Sequence, residues 1–119
     1  MANREIADAA ENWMRTHGHV SHDVIDCSHF VAEVLRAAGY GGYTYMTADD
    51  MPRSRHFSAI DQPERGDIVH WPGHVAIILD PVAGTFLGSQ NSSGVDVSSW
   101  KTTPYWRSRG QRSYLRYQP

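Results

Sequence analysis

The sequence contains little cysteine, no long apolar run and no stretch of linker composition. Its 119 residues include one cysteine, so the fold cannot depend on an internal disulfide bond. No apolar run approaches the roughly 20 residues that cross a bilayer, so we expect no membrane insertion. Internal repeats and low-complexity tracts are also missing. One hydrophobic core suffices at this length, and we expect a single domain over residues 1–119.

An apolar secretory segment is missing as well. The N-terminal residues are charged and enter an amphipathic pattern, so we expect synthesis in the cytoplasm without a signal peptide. The net charge of −2 conceals an uneven distribution, because no acidic residue follows Asp96. Five cations do follow it: Lys101, Arg107, Arg109, Arg112 and Arg116. Such a run is typical of a solvated basic face, and it also suits attraction to an anionic polymer such as a cell wall or nucleic acid.

Two amphipathic helices are predicted in the first third of the chain. Residues 3–17 place apolar side chains at helical spacing with charged residues on the other side. The second helix is capped by Asp26 or Ser28 and ends at Gly39. Three histidines lie in or beside the polar loop between the helices: His17, His19 and His22. They lack an acidic or cysteine partner at a recognised metal-binding spacing, so we interpret them as solvated and expect no metal.

Cys27 falls in the first turn of the second helix. The helix dipole and the unpaired backbone N–H groups there favour an anion, so we expect its thiol to ionise more easily than at the ordinary pKa of about 8.5. A lone thiol in this position, with several histidines downstream, favours nucleophilic catalysis over an inert buried cysteine. Such chemistry needs a histidine base and usually a polar group that orients the histidine.

The pattern after the middle of the chain is typical of an antiparallel sheet. Five short strands are predicted, over residues 68–71, 74–79, 85–87, 95–97 and 114–117. The first two form a hairpin around Pro72-Gly73, with His74 at the start of its second strand. Helices followed by antiparallel strands indicate an α+β fold, with the N-terminal helices packed on a small sheet.

His74 is the preferred base among the seven histidines. It begins a rigid strand beside a Pro-Gly turn, where its ring can reach solvent. His70, on the preceding strand, is the second choice. His29 lies two positions from Cys27 on the helix, and this spacing directs its ring away from the thiol.

Two blocks of sequence share the pattern of a known family. They comprise Asp26–Val31 with the helix end Ala37–Tyr40, then Arg65–Val69 with His74–Ile77. These blocks resemble the NlpC-type cell-wall peptidases, whose pattern runs Asp-Cys-Ser-Gly-Phe, Pro-Gly-Asp-Leu and His-Val-Gly-Ile. The resemblance covers about residues 24–97, and both blocks stand in the family's order.

The resemblance implies a compact papain-like fold and a role for each matching position. It implies that Cys27 is the nucleophile and His74 the base. It also implies that Asp26 and Ser28 help to bind the free amino group of the substrate. The backbone N–H of Cys27 is then an oxyanion donor. The family cleaves peptide bonds in bacterial cell-wall stem peptides, commonly after γ-D-glutamate, and implies neither a metal nor an organic cofactor.

The chain departs from the family pattern at the wall that faces the substrate. His29 occupies the position of the usual glycine. The tyrosine and the Trp-Gly-Gly segment commonly found before the cysteine are missing. A loop rich in glycine and tyrosine, residues 39–45, follows the helix and suits either packing or the lining of a cleft. We therefore expect this wall to be built differently.

The third catalytic position also departs from the family. Gly88 stands where a histidine usually lies. Gln90 can orient His74 if alternate residues of this strand share one face. Ser89 or Asn91 serves instead if a bulge shifts the register, and a simple dyad is the remaining alternative. Loss of the third group need not abolish activity, because that group mainly fixes ring orientation and tautomer.

The sequence thus predicts a cysteine peptidase or amidase that hydrolyses an amide in peptidoglycan stem peptides through a thioester on Cys27. The alternatives are a CHAP-like N-acetylmuramoyl-L-alanine amidase, a thiol acyltransferase and a catalytically silent cell-wall binding module. We expect a monomer without a nucleic-acid partner. The expected place of action is the cell wall, in the periplasm or outside, after non-classical delivery. A delivered antibacterial toxin, neutralised at home by an immunity protein, is favoured over a phage lysin.

Overall fold

One six-stranded antiparallel sheet positions the site in the computed structural model, which describes residues 3–119. The strands, in chain order, are β1 Phe57–Ile60, β2 Ile68–Trp71, β3 His74–Asp80, β4 Thr85–Gln90, β5 Gly94–Ser99 and β6 Ser113–Tyr117. Across the sheet the order is β1-β6-β2-β3-β4-β5, so the last strand of the chain lies between the first two. β3 is an interior strand, paired with β2 and β4.

Four helical segments accompany the sheet. They are α1 Arg4–His17, α2 Cys27–Ala37, a 3-10 helix at Ala48–Arg53 and α3 Pro104–Ser108. No helix within residues 3–119 has both the length and the hydropathy needed to cross a lipid bilayer.

α2 has clear signals at both ends. It begins at Cys27 because the carboxylate of Asp26 accepts a hydrogen bond from the backbone N–H of His29 (2.9 Å), as an N-cap residue does. It ends before Gly39, whose positive φ of 110° suits a helix stop. The two predicted N-terminal helices are confirmed, and Asp26 rather than Ser28 is the cap.

β3 is buried on both of its faces. Val75 and Ile77 pack on the face covered by α1 and α2, which we call the helix face. Ala76 and Ile78 belong to the core on the opposite side, which we call the aromatic face. Four large rings fill the aromatic face: Trp71, Phe86, Trp100 and Trp106. Because both faces are covered, β3 reads as a continuous apolar run rather than an alternating one.

The predicted α+β architecture is confirmed, and so are the five predicted strands. β4 extends further than predicted, to Gln90. β1 and α3 lie outside the sequence-based expectations. β1 has four residues and pairs with β6, which follows much later in the chain. α3 has five residues, which is too short to show helical periodicity.

Candidate active site

Cys27 and His74 line one cleft of about 870 Å³. Its walls come from the start of α2, the 3-10 helix, the turn between β2 and β3, the end of β4, and α3. Asp26, Ser28 and Gln90, the other predicted site residues, line the same cleft. The fold therefore brings all the predicted side chains to one place.

Cys27 is the first residue of α2, and its side chain is largely buried. Its Sγ atom lies 4.0 Å from the carbonyl oxygen of Gly73 in the turn before β3. Burial raises the pKa of the Cys27 thiol and the charge of Asp26 raises it further, while hydrogen bonds from nearby backbone N–H groups, led by Val75, oppose this. The prediction that this thiol ionises more easily than usual is wrong, because loss of water outweighs the helix N-terminus. The thiol is therefore neutral at neutral pH.

The imidazole of His74 is buried against two tryptophans of the aromatic face. Its centroid lies 4.8 Å from that of Trp106, with the rings stacked, and 5.8 Å from that of Trp71. Burial lowers the pKa of His74 to about 3, and the positive charge of Arg109 contributes. Within residues 3–119, the buried Nε2 atom of His74 has no hydrogen-bond partner. At neutral pH the ring is uncharged and can accept a proton.

Gln90, predicted to orient His74, lies at the end of β4. Its side-chain amide donates to the backbone oxygen of Asp96 (3.0 Å) and to the hydroxyl of Ser98 (3.4 Å). Its Oε1 atom is buried and has no partner in the described part of the chain. The structure thus places Gln90 in the cleft with a free acceptor, and its orienting role stays a prediction.

Ser89 and Asn91 are the alternative third residues. The Ser89 hydroxyl donates to the backbone oxygen of Ile25 (2.5 Å). The irregularity in the pairing of β3 with β4 lies between Ile78 and Asp80, at the other end of these strands. Asn91 lines the cleft. The bulge that would have turned the Ser89 side chain toward His74 is therefore not found beside Ser89.

Gly88 has no room for a side chain. A Cβ atom at this position would lie 2.7 Å from the Cβ of Ala76 and 2.9 Å from Oε1 of Gln90. In this chain glycine is at position 88 and the larger alanine is at position 76. In the family pattern glycine is at position 76, within His-Val-Gly-Ile, and the larger histidine is at position 88. Ala76 occupies the space that a side chain at position 88 would need.

A hydrogen-bonded cluster surrounds the predicted amine-binding residues. Asp26 Oδ1 lies 2.7 Å from His29 Nδ1, and the Ser28 hydroxyl lies 2.8 Å from the Tyr45 hydroxyl. The rings of His29 and Tyr45 stack at 4.1 Å. Burial raises the pKa of Asp26, but hydrogen bonds from His29 lower it more, so the carboxylate is charged at neutral pH. Tyr45 lies outside the predicted site residues, and the tyrosine-rich loop was its only signal in the sequence.

His70, the second choice for the base, is paired with Asp49 of the 3-10 helix. Its Nε2 atom lies 3.0 Å from Asp49 Oδ1. The same oxygen accepts a hydrogen bond from the backbone N–H of Gly73 (2.8 Å). The hydrogen bond from Gly73 has the larger effect in lowering the pKa of Asp49, and the bond with His70 lowers it further. The pair therefore fixes the turn that precedes His74.

Two residues that were not predicted as site residues complete the wall beside His74. Trp106 lies in α3 and Arg109 follows it. The Arg109 guanidinium donates to the backbone oxygen of Pro72 (2.6 Å), and its Cζ atom lies 5.3 Å from the Trp106 ring centroid. These contacts tie α3 to the turn between β2 and β3. The basic run of the C-terminal region was the only sequence signal for Arg109.

The histidines near the end of α1 make separate contacts. His17 Nδ1 lies 3.0 Å from the backbone oxygen of Trp13, and His19 Nδ1 lies 2.8 Å from that of Val95. His22 lines the cleft. Within residues 3–119, no group of three or more histidine, cysteine, aspartate or glutamate side chains is arranged to hold a metal ion.

A comparison with protein-family models bears on the same residues. The model described as the NlpC/P60 family matches residues 14–113, which is more than half of the chain. The match includes every residue that lines the cleft, from His22 to Arg109. The two blocks that carry the sequence resemblance also lie inside it.

Proposed function

The chain belongs to the NlpC/P60 family, and from this premise we propose that it is a papain-like cysteine peptidase of bacterial peptidoglycan. Family membership indicates cell-wall peptidase or amidase activity. We propose further that the hydrolysed bond is the amide of the stem peptide after γ-D-glutamate. Support for it comes from the residues of the cleft.

The observation that carries the proposal is the meeting of Cys27 and His74 in one cleft. Cys27 is the only thiol of the chain, and His74 presents a neutral imidazole at neutral pH. Hydrolysis of an amide by a thiol requires such a nucleophile and base in one site. Asp26 and Ser28 stand beside the thiol and offer a charged and a hydroxyl group to the substrate.

Both reacting groups start neutral, so the attack includes a proton transfer. His74 accepts the thiol proton as Sγ of Cys27 bonds to the carbonyl carbon. The electron pair of the carbonyl moves to its oxygen, and the backbone N–H of Cys27 is the proposed donor to this oxyanion. Burial disfavours the imidazolium, which therefore gives its proton to the leaving nitrogen as the C–N bond breaks. The products of this step are a thioester on Cys27 and a free amine.

Water then releases the acyl group. Neutral His74 takes a proton from water as the water oxygen attacks the thioester carbonyl. Collapse of the intermediate breaks the C–S bond, and the Cys27 sulfur regains its proton from His74. The carboxylic acid leaves and the site returns to its neutral state.

The free amino group of the stem peptide is proposed to bind at Asp26. Asp26 Oδ1 is engaged by His29 and Ser28, while the carboxylate as a whole stays charged. Tyr45 forms a wall next to these residues through its hydrogen bond to Ser28 and its stacking on His29. We assign Tyr45 the place of the tyrosine that the family commonly carries before the cysteine.

Gln90 remains the proposed third residue. Its free Oε1 is an acceptor, and Nε2 of His74 becomes a donor in the tautomer whose Nδ1 faces the thiol as a base. Both atoms are buried and lack partners within residues 3–119, and both residues line the cleft. Pairing of these two atoms during catalysis is the proposed orienting contact.

Digestion of purified peptidoglycan tests the proposal. The wild-type protein is expected to create new peptide termini after γ-D-glutamate, detected by mass spectrometry. Cys27→Ala should create none, because no other thiol is present. Val24→Ala is the matched control, since Val24 is exposed and does not line the cleft.

The products also separate the alternatives. Release of intact stem peptide from the sugar would indicate the CHAP-like amidase instead. Product that appears only with an added acyl donor would indicate an acyltransferase. Equal digestion by wild type and Cys27→Ala would contradict any thiol mechanism, and wall binding without a product would indicate the silent module.

A further inference from the structure

Arg109 is a cation in the cleft that pairs with no carboxylate within the described residues. Within residues 3–119 the one hydrogen bond of its side chain goes to the neutral backbone oxygen of Pro72. Its guanidinium also packs near the rings of Trp106 (5.3 Å) and Tyr105 (6.0 Å). A guanidinium has five N–H donors, so most of those on Arg109 stay available to a ligand.

Other arginines of the fold are used differently. Arg65 pairs with Asp8 and Glu11, and Arg116 pairs with the carboxylates of Glu64 and Asp67. These arginines hold the fold together and lie outside the cleft. Arg109 is the only arginine or lysine among the residues that line the cleft.

Arg109 is tied to the turn that leads into His74. It binds Pro72, and the carbonyl oxygen of the next residue, Gly73, lies 4.0 Å from Sγ of Cys27. The positive charge of Arg109 also reaches the imidazole of His74, whose pKa it helps to lower. A substrate attacked by Cys27 would therefore occupy a cleft that also holds this guanidinium.

We propose that Arg109 binds a substrate carboxylate next to the scissile amide and thereby selects for substrates that carry this acid. The inference rests on the proposed function. A γ-linked D-glutamate keeps its α-carboxylate free, only a few bonds from the scissile carbonyl. The residue on the leaving side supplies a second carboxylate when it ends the peptide. A planar guanidinium suits either acid, because it binds carboxylates through two parallel hydrogen bonds.

The cleft then has opposite charges for opposite parts of the ligand. Asp26 offers a carboxylate to the amino group, and Arg109 offers a cation to the acid. An uncharged carboxamide in place of the acid would face the guanidinium without charge pairing. Selection against the amidated substrate therefore follows from the same contact.

Three synthetic peptides test the inference. They are L-Ala-γ-D-Glu-L-Lys, its α-carboxamide at D-glutamate, and its C-terminal amide. If Arg109 binds the α-carboxylate, kcat/KM should fall about 10- to 100-fold for the first amide, the range of a charge-assisted hydrogen bond. If it binds the leaving-side acid, the second amide should show that loss. Either pattern supports carboxylate recognition, and equal cleavage of all three peptides overturns it.

Substitution at position 109 links the preference to this side chain. Arg109→Gln should slow cleavage of the free-acid peptide. It should leave unchanged the cleavage of the amide that the wild type cleaves poorly, so that the preference for the acid disappears. Arg109→Lys should retain part of it. Arg107→Gln is the matched control, because Arg107 is exposed on α3, the helix that precedes Arg109, and does not line the cleft. Equal loss for all peptides in Arg109→Gln would show a structural role only and would overturn the inference.

A binding measurement keeps this inference separate from the proposed function. Calorimetry with Cys27→Ala and the dipeptide L-Ala-γ-D-Glu, as the acid and as the α-carboxamide, requires no catalysis. Tripeptide with a free or amidated C-terminus tests the leaving-side acid in the same way. Loss of the acid preference in Cys27→Ala/Arg109→Gln supports the inference even if no peptide is cleaved. Absence of any acid preference in Cys27→Ala overturns it, even if peptidoglycan is digested.

Discussion

The two faces of the sheet differ in composition and in what they give to the cleft. The helix face buries mainly aliphatic side chains, such as Ile6, Leu35 and Ile77, which come from α1, α2 and β3. The aromatic face buries large rings from β2, β4, α3 and the segment between β5 and α3. Cys27 belongs to the first core, whereas the ring of His74 stacks in the second. Both proposed catalytic groups line the cleft beside the turn from β2 to β3.

This difference separates two physical tasks. The helix face joins long regular elements through apolar contact, which is the main source of folding free energy. The aromatic face depends on a five-residue helix and a tie from Arg109 to Pro72. It acts on the site in two ways: the stacked ring of Trp106 orients His74, and burial removes water from His74 and lowers its pKa to about 3. We therefore expect substitutions on the two faces to have different signatures.

Matched truncations of the two faces should give the largest effect. Leu35→Ala removes a fully buried side chain from the helix face, and Trp106→Ala removes the ring stacked on His74. Each should lower the free energy of unfolding by about 2–5 kcal/mol. Only Trp106→Ala should also lower kcat, by about 10- to 100-fold, because His74 loses the ring that orients it. Urea denaturation and peptide cleavage, corrected for the folded fraction, measure both quantities.

Trp100→Ala is the control within the aromatic face. Trp100 stacks on Phe86 (centroids 6.2 Å apart) and does not line the cleft. Its truncation should reduce stability while kcat is preserved. If Leu35→Ala lost as much kcat as Trp106→Ala, the two faces would not have separate tasks.

The helix face was largely predictable from the sequence. The 3.6-residue spacing of apolar side chains in α1 and α2 is a local property, and so is the Pro72-Gly73 turn that starts β3. Cys27, Asp26 and His74 are carried by these regular elements. Their convergence on one cleft followed from the family resemblance rather than from periodicity.

The aromatic face and the substrate wall were not predictable in the same way. Trp106, Arg109 and Tyr45 reach the cleft from short or irregular segments whose positions depend on contacts far away in sequence. The pKa of Cys27 was predicted in the wrong direction for a related reason. Helix polarity can be inferred locally, whereas the burial that opposes it depends on the packed β2–β3 turn.

Acid should reveal the electrostatic task of the aromatic face. The unfolded chain binds a proton at His74 below its ordinary pKa of 6.5, whereas folded His74 stays neutral down to about pH 3, mainly through burial. Stability should therefore fall as pH drops from 6.5 towards 3. The slope from this residue is at most about 1.4 kcal/mol per pH unit, or about 2–3 kcal/mol between pH 6.5 and 4.5. Urea denaturation across this window measures the slope.

His74→Phe isolates this contribution, because a phenyl ring keeps the stacking on Trp106 and cannot titrate. The variant should show a flatter stability profile than wild type between pH 6.5 and 4.5. Val24→Ala is the control, since Val24 is exposed and cannot titrate, so that its replacement should keep the wild-type slope. Equal slopes in wild type and His74→Phe would show that the aromatic face does not hold His74 neutral.

The exchange of residues at positions 76 and 88 should give the smallest effect. Gly88→Ala places a Cβ 2.7 Å from that of Ala76 and should lower the free energy of unfolding by about 1–3 kcal/mol. In an Ala76→Gly background the loss should be less than half as large, because the opposing methyl is gone. Gly41→Ala, with no atom near its added Cβ, should be close to neutral. Thermal or urea unfolding of the four Ala76 and Gly88 combinations gives the coupling energy. A loss that is the same in both backgrounds would mean that Ala76 does not exclude a third catalytic side chain from position 88.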